Sequence, residues 1–173
     1  MDDPAPFILT LTLEEAAHRH FDALRTAHFP PDRLFVGAHV TLFHALPPDL
    51  PLDVVGREAA ACETFTVSVS GVRFLGRGVA FELTSAPLLA LRERLRAGWA
   101  ALLTAQDRQP WRPHVTIQNK VDPAVARALH AKLAAGFVPY PVTAEGLALW
   151  IYRGGPWEHA RRFEFQSAQA RTA

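Results

Sequence analysis

A four-residue pattern, His-Val-Thr followed by a branched aliphatic residue, occurs once in each half of the chain and constrains the fold more than any other feature. The two copies span residues 39–42 and 114–117, each in an apolar, strand-like stretch. In a strand, residues i and i+2 share a face and residue i+1 points the other way. The histidine and the threonine of each copy are therefore predicted to face one side, with the valine in the core. If the halves pack as similar lobes, both polar pairs line one groove.

Periodicity and turn residues predict the element order β-α-β-α-β-β-α-β-α-β-β. Residues 6–13 alternate as a strand does, and residues 14–27 carry apolar side chains at helical spacing. Thr12 is predicted to cap this first helix, with Glu15 completing a capping box, and residues 85–106 form the longest predicted helix. Short strands joined directly by turns favour an α+β fold with antiparallel sheet over a doubly wound fold. The other predicted strands are 34–46, 65–75, 79–83, 111–120, 142–153 and 161–165, and the other predicted helices are 52–62 and 122–135.

Composition bounds the domain organisation. The chain has 173 residues, of which 49% are hydrophobic and 20% charged, as in a soluble globular protein. We expect residues 1–173 to form one domain of two similar lobes, with residues 167–173 as a frayed tail. The single Cys62 excludes an intramolecular disulfide and a zinc site built from several cysteines.

Charge and hydropathy limit the partners and the cellular location that the sequence predicts. The net charge is +1, so any nucleic-acid binding must rest on a local patch. The start of the chain lacks the basic stretch of a secretory signal. No run approaches the ~18 apolar residues of a membrane span. We therefore expect a cytoplasmic protein, with a monomer as the default.

Two imidazoles across a groove suit phosphodiester hydrolysis. One neutral histidine takes a proton from water, while the other, protonated, gives a proton to the leaving ribose oxygen. Each threonine hydroxyl can donate to a non-bridging phosphate oxygen and stabilise the charge of the transition state. The pattern leaves open which histidine is the acid. The alternative is two ordinary strands whose polar residues face solvent, and a matched pair of motifs makes it the weaker interpretation. The catalytic candidates are His39, Thr41, His114 and Thr116.

The motifs also carry a family resemblance. The sequence resembles the two-histidine (2H) phosphoesterase superfamily, and within it the 2′-5′ RNA ligase (LigT-like) family. The hallmark of that group is a pair of H-x-T-x motifs, here HVTL from His39 and HVTI from His114. The strand PFILTLTL, the helix after it and the Arg112-Pro113 approach to the second motif are similar too. The resemblance covers most of residues 6–165.

The resemblance implies a bilobal α+β fold with pseudo-two-fold symmetry, antiparallel sheets flanked by helices and a central groove. It implies hydrolysis of 2′,3′-cyclic phosphates, or of related ones such as ADP-ribose 1″,2″-cyclic phosphate, without metal or cofactor. RNA-processing members of the family leave a 2′-phosphate, and some also join tRNA halves through 2′-5′ linkages in the reverse reaction.

This chain is rather short and lacks an obvious basic insertion for a long RNA. That departure favours small cyclic nucleotides or short RNA ends as partners and weakens the expectation of tRNA ligation. The rival interpretation is a module that binds RNA ends or nucleotides without turnover.

Further residues are candidates for substrate binding. Phe43 shares the face of the first motif by the period-2 rule, so its ring could stack on a base. Arg112 and Gln118 share the alternation of the second motif, and Arg112 either contacts phosphate or is a solvated arginine before a proline. Tyr152 and Trp157 lie in or near the last predicted strand pair.

The remaining histidines are not predicted to take part. His44 falls on the opposite face from His39 by the alternation rule, which argues against a catalytic role. His18 and His20 lie at i and i+2 of a predicted helix and make a poor metal pair. No metal site is predicted.

Overall fold

The computed structural model describes residues 5–167. These residues form seven β-strands and five α-helices in the predicted order, except that the helix predicted over 85–106 is two helices. The start of the chain lies outside the described residues, as does the predicted tail beyond residue 167. The elements are β1 (Phe7–Leu13), α1 (Glu15–His28), β2 (Val40–Leu46), α2 (Asp53–Ala60), β3 (Phe65–Phe74), β4 (Val79–Thr84), α3 (Ala86–Gly98), α4 (Ala105–Arg108), β5 (His114–Gln118), α5 (Pro123–Ala134), β6 (Tyr140–Tyr152) and β7 (Trp157–Glu164).

All seven strands of the described chain pair antiparallel in one sheet, in the order β2-β1-β6-β3-β4-β5, with β7 on β6. The α+β class with antiparallel sheet is confirmed, and the two halves share a single sheet. They do so because β6, 13 residues long, pairs with β3 near its start and with β1 and β7 along the rest. β2 and β5 carry the two motifs, lie at the two ends of this sheet and nevertheless contact each other. The sheet therefore curls into a half-barrel.

The helices cover the apolar face of the sheet. On α1 the buried residues are Ala17, Phe21 and Arg25, spaced four apart. The ring of Phe21 packs against Phe81 of β4, with 5.5 Å between ring centroids. Burying such a side chain contributes roughly 1.5–3 kcal/mol. No helix in the range 5–167 has both the length and the apolar run needed to cross a membrane.

The predicted cap of α1 is wrong, although the helix begins within one residue of its predicted start. The helix has no side-chain cap, so Thr12 and Glu15 do not form a capping box. Instead, Glu14 prolongs the ladder between β1 and β6. Its N–H donates to the Thr143 carbonyl at 2.9 Å, and its carboxylate accepts from the Thr143 N–H at 3.1 Å. Pairing with a strand replaces the cap that the sequence pattern predicts.

The long helix predicted over 85–106 is also wrong. α3 ends at Gly98, and Trp99 leaves the helical conformation and turns into the core, where it is 1% exposed. The chain then forms the short α4, which the hydroxyl of Thr104 caps. The break brings Asp107 of α4 beside β2, where its carboxylate accepts hydrogen bonds from the backbone.

A bulge in β2 lies directly after Thr41 of the first motif. Thr10 of β1 pairs with Thr41, but the preceding residue, Leu9, pairs with Phe43, so two residues of β2 pass one residue of β1. A bulge of this kind interrupts the period-2 alternation of a strand. Phe43 therefore faces the core and is 0% exposed. The prediction that its ring stacks on a base is wrong.

β5 contains the same bulge at the equivalent position. Ala80 of β4 pairs with Thr116 and the preceding Val79 pairs with Gln118. Gln118 is consequently 3% exposed, so the prediction that it contacts substrate in the groove is wrong for the same reason. Gly78 is required here, because a Cβ at this position would lie 2.0 Å from the Gln118 carbonyl oxygen.

Candidate active site

His39 and His114 are held by identical hydrogen bonds. His39 immediately precedes β2 and His114 is the first residue of β5. Nδ1 of His39 lies 2.7 Å from the Gly37 carbonyl, and Nδ1 of His114 lies 2.8 Å from the Arg112 carbonyl. A carbonyl only accepts, so Nδ1 carries the hydrogen in both rings. Nε2 of each neutral ring is then the free basic nitrogen.

The segment before His39 is fastened to α1. The carboxylate of Asp22 accepts from the N–H of Ala38 at 2.8 Å. It also lies directly over Gly37, where a Cβ would approach Asp22 Oδ1 to 2.6 Å. Glycine at this position therefore lets Asp22 set the path of the chain into the first motif.

The alternation predicted for the two motifs holds as far as each threonine. Val40 and Val115 are each 1% exposed and lie in the core. Thr41 and Thr116 are half-buried on the other face, as are the two histidines. The described structure thus gives both motifs the same local arrangement at the two ends of the curled sheet.

Arg25, on the buried face of α1, connects the two motif segments. Its guanidinium donates to the Val36 carbonyl, just before the first motif, at 2.9 Å and to the Thr116 carbonyl of β5 at 2.6 Å. The guanidinium also stacks on the ring of Phe29, 4.0 Å from its centroid. Arg25 is 6% exposed, and its hydrogen bonds satisfy carbonyls at the edge of a terminal strand.

Arg92 of α3 makes the reciprocal connection. It donates to the Asp107 carbonyl, in the connection that leads to the second motif, at 2.9 Å. It also donates to the Leu42 carbonyl of β2 at 3.1 Å. Its guanidinium lies over the rings of Phe43 and Trp111, 4.9 Å from each centroid. Each arginine therefore joins one carbonyl from its own half to one carbonyl of the opposite motif strand.

Trp111 adds a third link between the halves. Its indole N–H donates to the Thr41 carbonyl at 3.0 Å. The backbone carbonyls of Thr41 and Thr116 are thus both bound by side chains from outside their own sheet pairs. This fixes the strands that carry the two threonine hydroxyls.

The pKa of His39 is strongly lowered. It falls from 6.5 to about 4, mainly because of burial, which outweighs the Gly37 carbonyl that raises it. The positive charges of Arg25, His114 and His44 make smaller contributions to the same shift. The ring of His39 is therefore neutral at neutral pH and available as a base.

The pKa of His114 is also lowered from 6.5, again mainly by burial. The Arg112 carbonyl opposes the shift, the charges of Arg73 and His44 add to it, and the carboxylate of Glu82 opposes it. Glu82 lies directly opposite His114 in the pairing of β4 with β5. A carboxylate beside His114 favours the protonated form that a general acid needs.

His44 lies beside His114, contrary to the sequence prediction. Its Nδ1 donates to Asp107 Oδ1 at 3.1 Å, and Asp107 also accepts from the N–H groups of His44 and Ala45. Burial alone would raise the pKa of Asp107, but these hydrogen bonds hold it below its usual value. The bulge in β2 explains why the period-2 rule misplaced His44.

Two of the predicted substrate-binding residues are accessible. Arg112 is exposed and lines a cavity of about 330 Å³ together with His44 and His114. Tyr152 is 40% exposed at the end of β6, where it pairs with Trp157, and it lines neither of the cavities beside the histidines. The structure thus brings Arg112, but not Tyr152, to the wall of a histidine cavity.

A larger cavity, of about 520 Å³, opens beside His39. Its wall on β6 and β7 includes Trp150, His159 and Arg162. Trp157 packs against the imidazole of His39, with 4.5 Å between centroids, and lies 6.3 Å from Trp150. These contacts depend on the register of β7, and no motif in the sequence indicates them.

Metal ions in proteins are usually held by several His, Cys, Asp or Glu side chains. Within residues 5–167, no three His, Cys, Asp or Glu side chains form a group that could hold a metal ion. The side chains that the described site does bring together are imidazoles, hydroxyls and guanidinium groups.

Comparison with known proteins gives one family and a set of similar structures. The family model of the 2′-5′ RNA ligase superfamily matches residues 13–156. TT0787 of Thermus thermophilus superposes with a TM-score of 0.65 at 21% identity, over 94% of this chain and 98% of that one. Escherichia coli LigT complexed with 3′-AMP gives a TM-score of 0.59 at 18% identity, over 94% and 99%. LigT complexed with NADP+ gives 0.58 at 17%, over 94% and 98%. No curated protein matches this chain significantly.

The arginine links predict a specific cost in stability. Arg25→Met removes two hydrogen bonds and leaves the part-buried Val36 and Thr116 carbonyls without these donors, so we expect a loss of about 2–4 kcal/mol. Urea unfolding followed by circular dichroism measures it. The control is Arg19→Met on the same helix, whose guanidinium is exposed and pairs with Glu15 on the helix surface. Equal losses for the two variants would mean that Arg25 does not hold the strands together.

Proposed function

This chain belongs to the 2′-5′ RNA ligase superfamily, and we propose that it is a metal-independent cyclic phosphodiesterase that opens 2′,3′-cyclic phosphate ends of RNA or nucleotides to 2′-phosphates. The observation that carries the proposal is the matched pair of histidines. In both His39 and His114, Nδ1–H donates to the carbonyl two residues earlier, which leaves Nε2 free. Two such groups supply the base and the acid that the reaction needs.

The reaction proceeds as an in-line displacement. Nε2 of neutral His39 accepts a proton from water as the water oxygen bonds to phosphorus. The bond between phosphorus and O3′ breaks, and His114 gives its Nε2 proton to O3′, so the phosphate remains on O2′. The lower pKa of His39, and the carboxylate of Glu82 near His114, support this division of roles. Solvent returns the proton from His39 to His114 after each turnover.

The threonines supply the remaining stabilisation. Negative charge grows on the two non-bridging oxygens as the fifth bond to phosphorus forms, and hydroxyl donors aimed at those oxygens stabilise it. Thr41 and Thr116 are half-buried beside the histidines, with their carbonyls already bound by Trp111 and Arg25. Each hydroxyl is therefore carried by a strand whose position is fixed before substrate binds.

Two cavities support a position for each partner of the proposed displacement. The attacking group enters on the side of the base, His39. The cavity there, of about 520 Å³, has room for a group much larger than a water molecule. A 5′-hydroxyl of a second nucleotide in place of water would form a 2′-5′ linkage by the same step. The tryptophans Trp150 and Trp157 offer that nucleotide a stacking surface. The 3′-AMP and NADP+ bound to E. coli LigT support a nucleotide as the ligand class.

Hydrolysis of the four nucleoside 2′,3′-cyclic monophosphates in EDTA tests the proposal. We expect turnover, a 2′-phosphate product, and a loss of at least about 10²-fold in kcat for His39→Ala and for His114→Ala. Binding of a nucleoside 2′-monophosphate should change little, because each variant removes a proton-transfer group. His28→Ala, at the far end of α1, is the control and should retain turnover. Binding without turnover of any cyclic phosphate, including short RNA ends, would favour a binding module instead.

The pH dependence follows from the lowered pKa values. Activity requires neutral His39, which is the main form of this ring above its pKa of about 4. It also requires protonated His114, whose pKa lies below 6.5. The bell-shaped profile of kcat/KM, which reports free enzyme, should therefore have its maximum between these limits and fall as the pH rises to neutrality. An optimum on the alkaline side of 7.5 would contradict this assignment of acid and base.

A further inference from the structure

We propose that the cavity beside His114 is a second anion subsite, which binds a phosphate on the 5′ side of the nucleotide that carries the cyclic phosphate. The inference rests on the proposed function and makes its substrate class narrower. It would mean that the preferred substrate has at least one phosphate besides the reacting one. The residues that form the subsite are His44, Arg73 and Arg112, none of them a member of the two His-Val-Thr motifs.

His44 is built into this cavity by two features of the fold. The bulge after Thr41 shifts the alternation, so that the side chain of His44 is 43% exposed. Asp107, whose side chain is 1% exposed, receives the Nδ1–H of His44 and so fixes the ring. Nε2 of His44 therefore points away from Asp107, and it donates to a ligand oxygen when the ring carries both protons.

The two arginines of the subsite are unpaired. Arg73 and Arg112 line the cavity, and over residues 5–167 neither guanidinium forms an ion pair or a side-chain hydrogen bond. Arg92 also reaches this wall, but its donors are occupied by the Leu42 and Asp107 carbonyls. The free donors of the cavity wall thus include two guanidinium groups, which match phosphate geometry well.

The only carboxylate in the cavity wall, among the described residues, is already satisfied. Asp107 accepts from the backbone N–H groups of His44 and Ala45, from the His44 ring and from the Thr104 hydroxyl. Glu82 lies opposite His114 in the sheet and faces Gly71, outside this wall. An anion entering the cavity therefore meets cationic donors and no free carboxylate.

The sheet register sets the position of the subsite relative to the reacting phosphate. Arg73 pairs with Ala80, and Ala80 pairs with Thr116, so Arg73 lies two strands from Thr116 on the same face. Two strand spacings separate the backbones of these residues by about 10 Å. The long side chain of Arg73 can span part of that distance. Arg73 also lowers the pKa of His114 by its charge, as expected of a close neighbour.

The direction of the displacement gives the chemical identity of the second phosphate. His114 protonates the leaving O3′, so the ribose of the cyclic nucleotide lies on the His114 side. The 5′ carbon of that ribose then leads toward Arg73, Arg112 and His44. A phosphate there is either a terminal 5′-phosphate or the internucleotide phosphate of an RNA end, and both offer the same anionic oxygens.

Binding of paired product analogues tests the subsite directly. We expect calorimetry to give about tenfold tighter binding for uridine 2′,5′-bisphosphate than for uridine 2′-monophosphate, as one charge-assisted contact provides. The ratio of the two dissociation constants should fall toward one in Arg73→Ala and in His44→Gln. It should remain in Arg127→Ala, a control that removes an exposed arginine of α5. Because both ligands are titrated into the same sample, the ratio does not depend on the folded fraction.

A dinucleotide ending in a 2′-phosphate forms the second arm. If the dinucleotide, like the bisphosphate, binds more tightly than uridine 2′-monophosphate, the subsite accepts an internucleotide phosphate. If it does not, the subsite is specific for a terminal phosphate. Equal affinity of wild type for mono- and bisphosphate would overturn the proposal, as would a preference that survives both substitutions. These outcomes are independent of turnover, so failure of the cyclic phosphodiesterase assay and failure of the subsite are distinguishable.

Discussion

The reciprocal hydrogen bonds of Arg25 and Arg92 are the constraint on which the site depends. The two ends of the sheet meet, and two exposed strand edges in contact would be expected to form a ladder. Instead, each guanidinium binds one carbonyl of the opposite motif strand and one carbonyl from its own half. The edges are satisfied without pairing, so the curled sheet stays open between the motifs and a substrate can reach both histidines.

The two halves repeat one another down to single hydrogen bonds and differ where the chemistry needs a difference. Each half has an Nδ1–H bonded to the carbonyl two residues earlier and a bulge directly after the threonine. His39 is neutral because burial and nearby cations lower its pKa, whereas His114 has Glu82 opposite it in the sheet. A nearly symmetric frame therefore holds two imidazoles with different affinities for a proton.

The parts that the sequence predicts are those that depend on local periodicity. The order of the strands along the chain and the core position of Val40 and Val115 follow from alternation. The paired motifs indicated the family. The bulges do not follow from alternation, because they are set by pairing with β1 and β4, and they account for the errors at Phe43, Gln118 and His44. The role of Arg25 could have been found, since it continues the buried stripe of Ala17 and Phe21, yet an arginine on a helix is normally read as exposed.

The tautomers of the two histidines test the central claim most directly. Two-bond nitrogen–proton correlation spectra of the uniformly labelled protein distinguish Nδ1–H, Nε2–H and doubly protonated rings. At pH 7.5 the account predicts that His39 and His114 are both neutral with the hydrogen on Nδ1, because each Nδ1 donates to a carbonyl and burial lowers both pKa values. An Nε2–H tautomer in either ring, or a protonated ring at this pH in the free protein, would contradict the proposed acid–base pair.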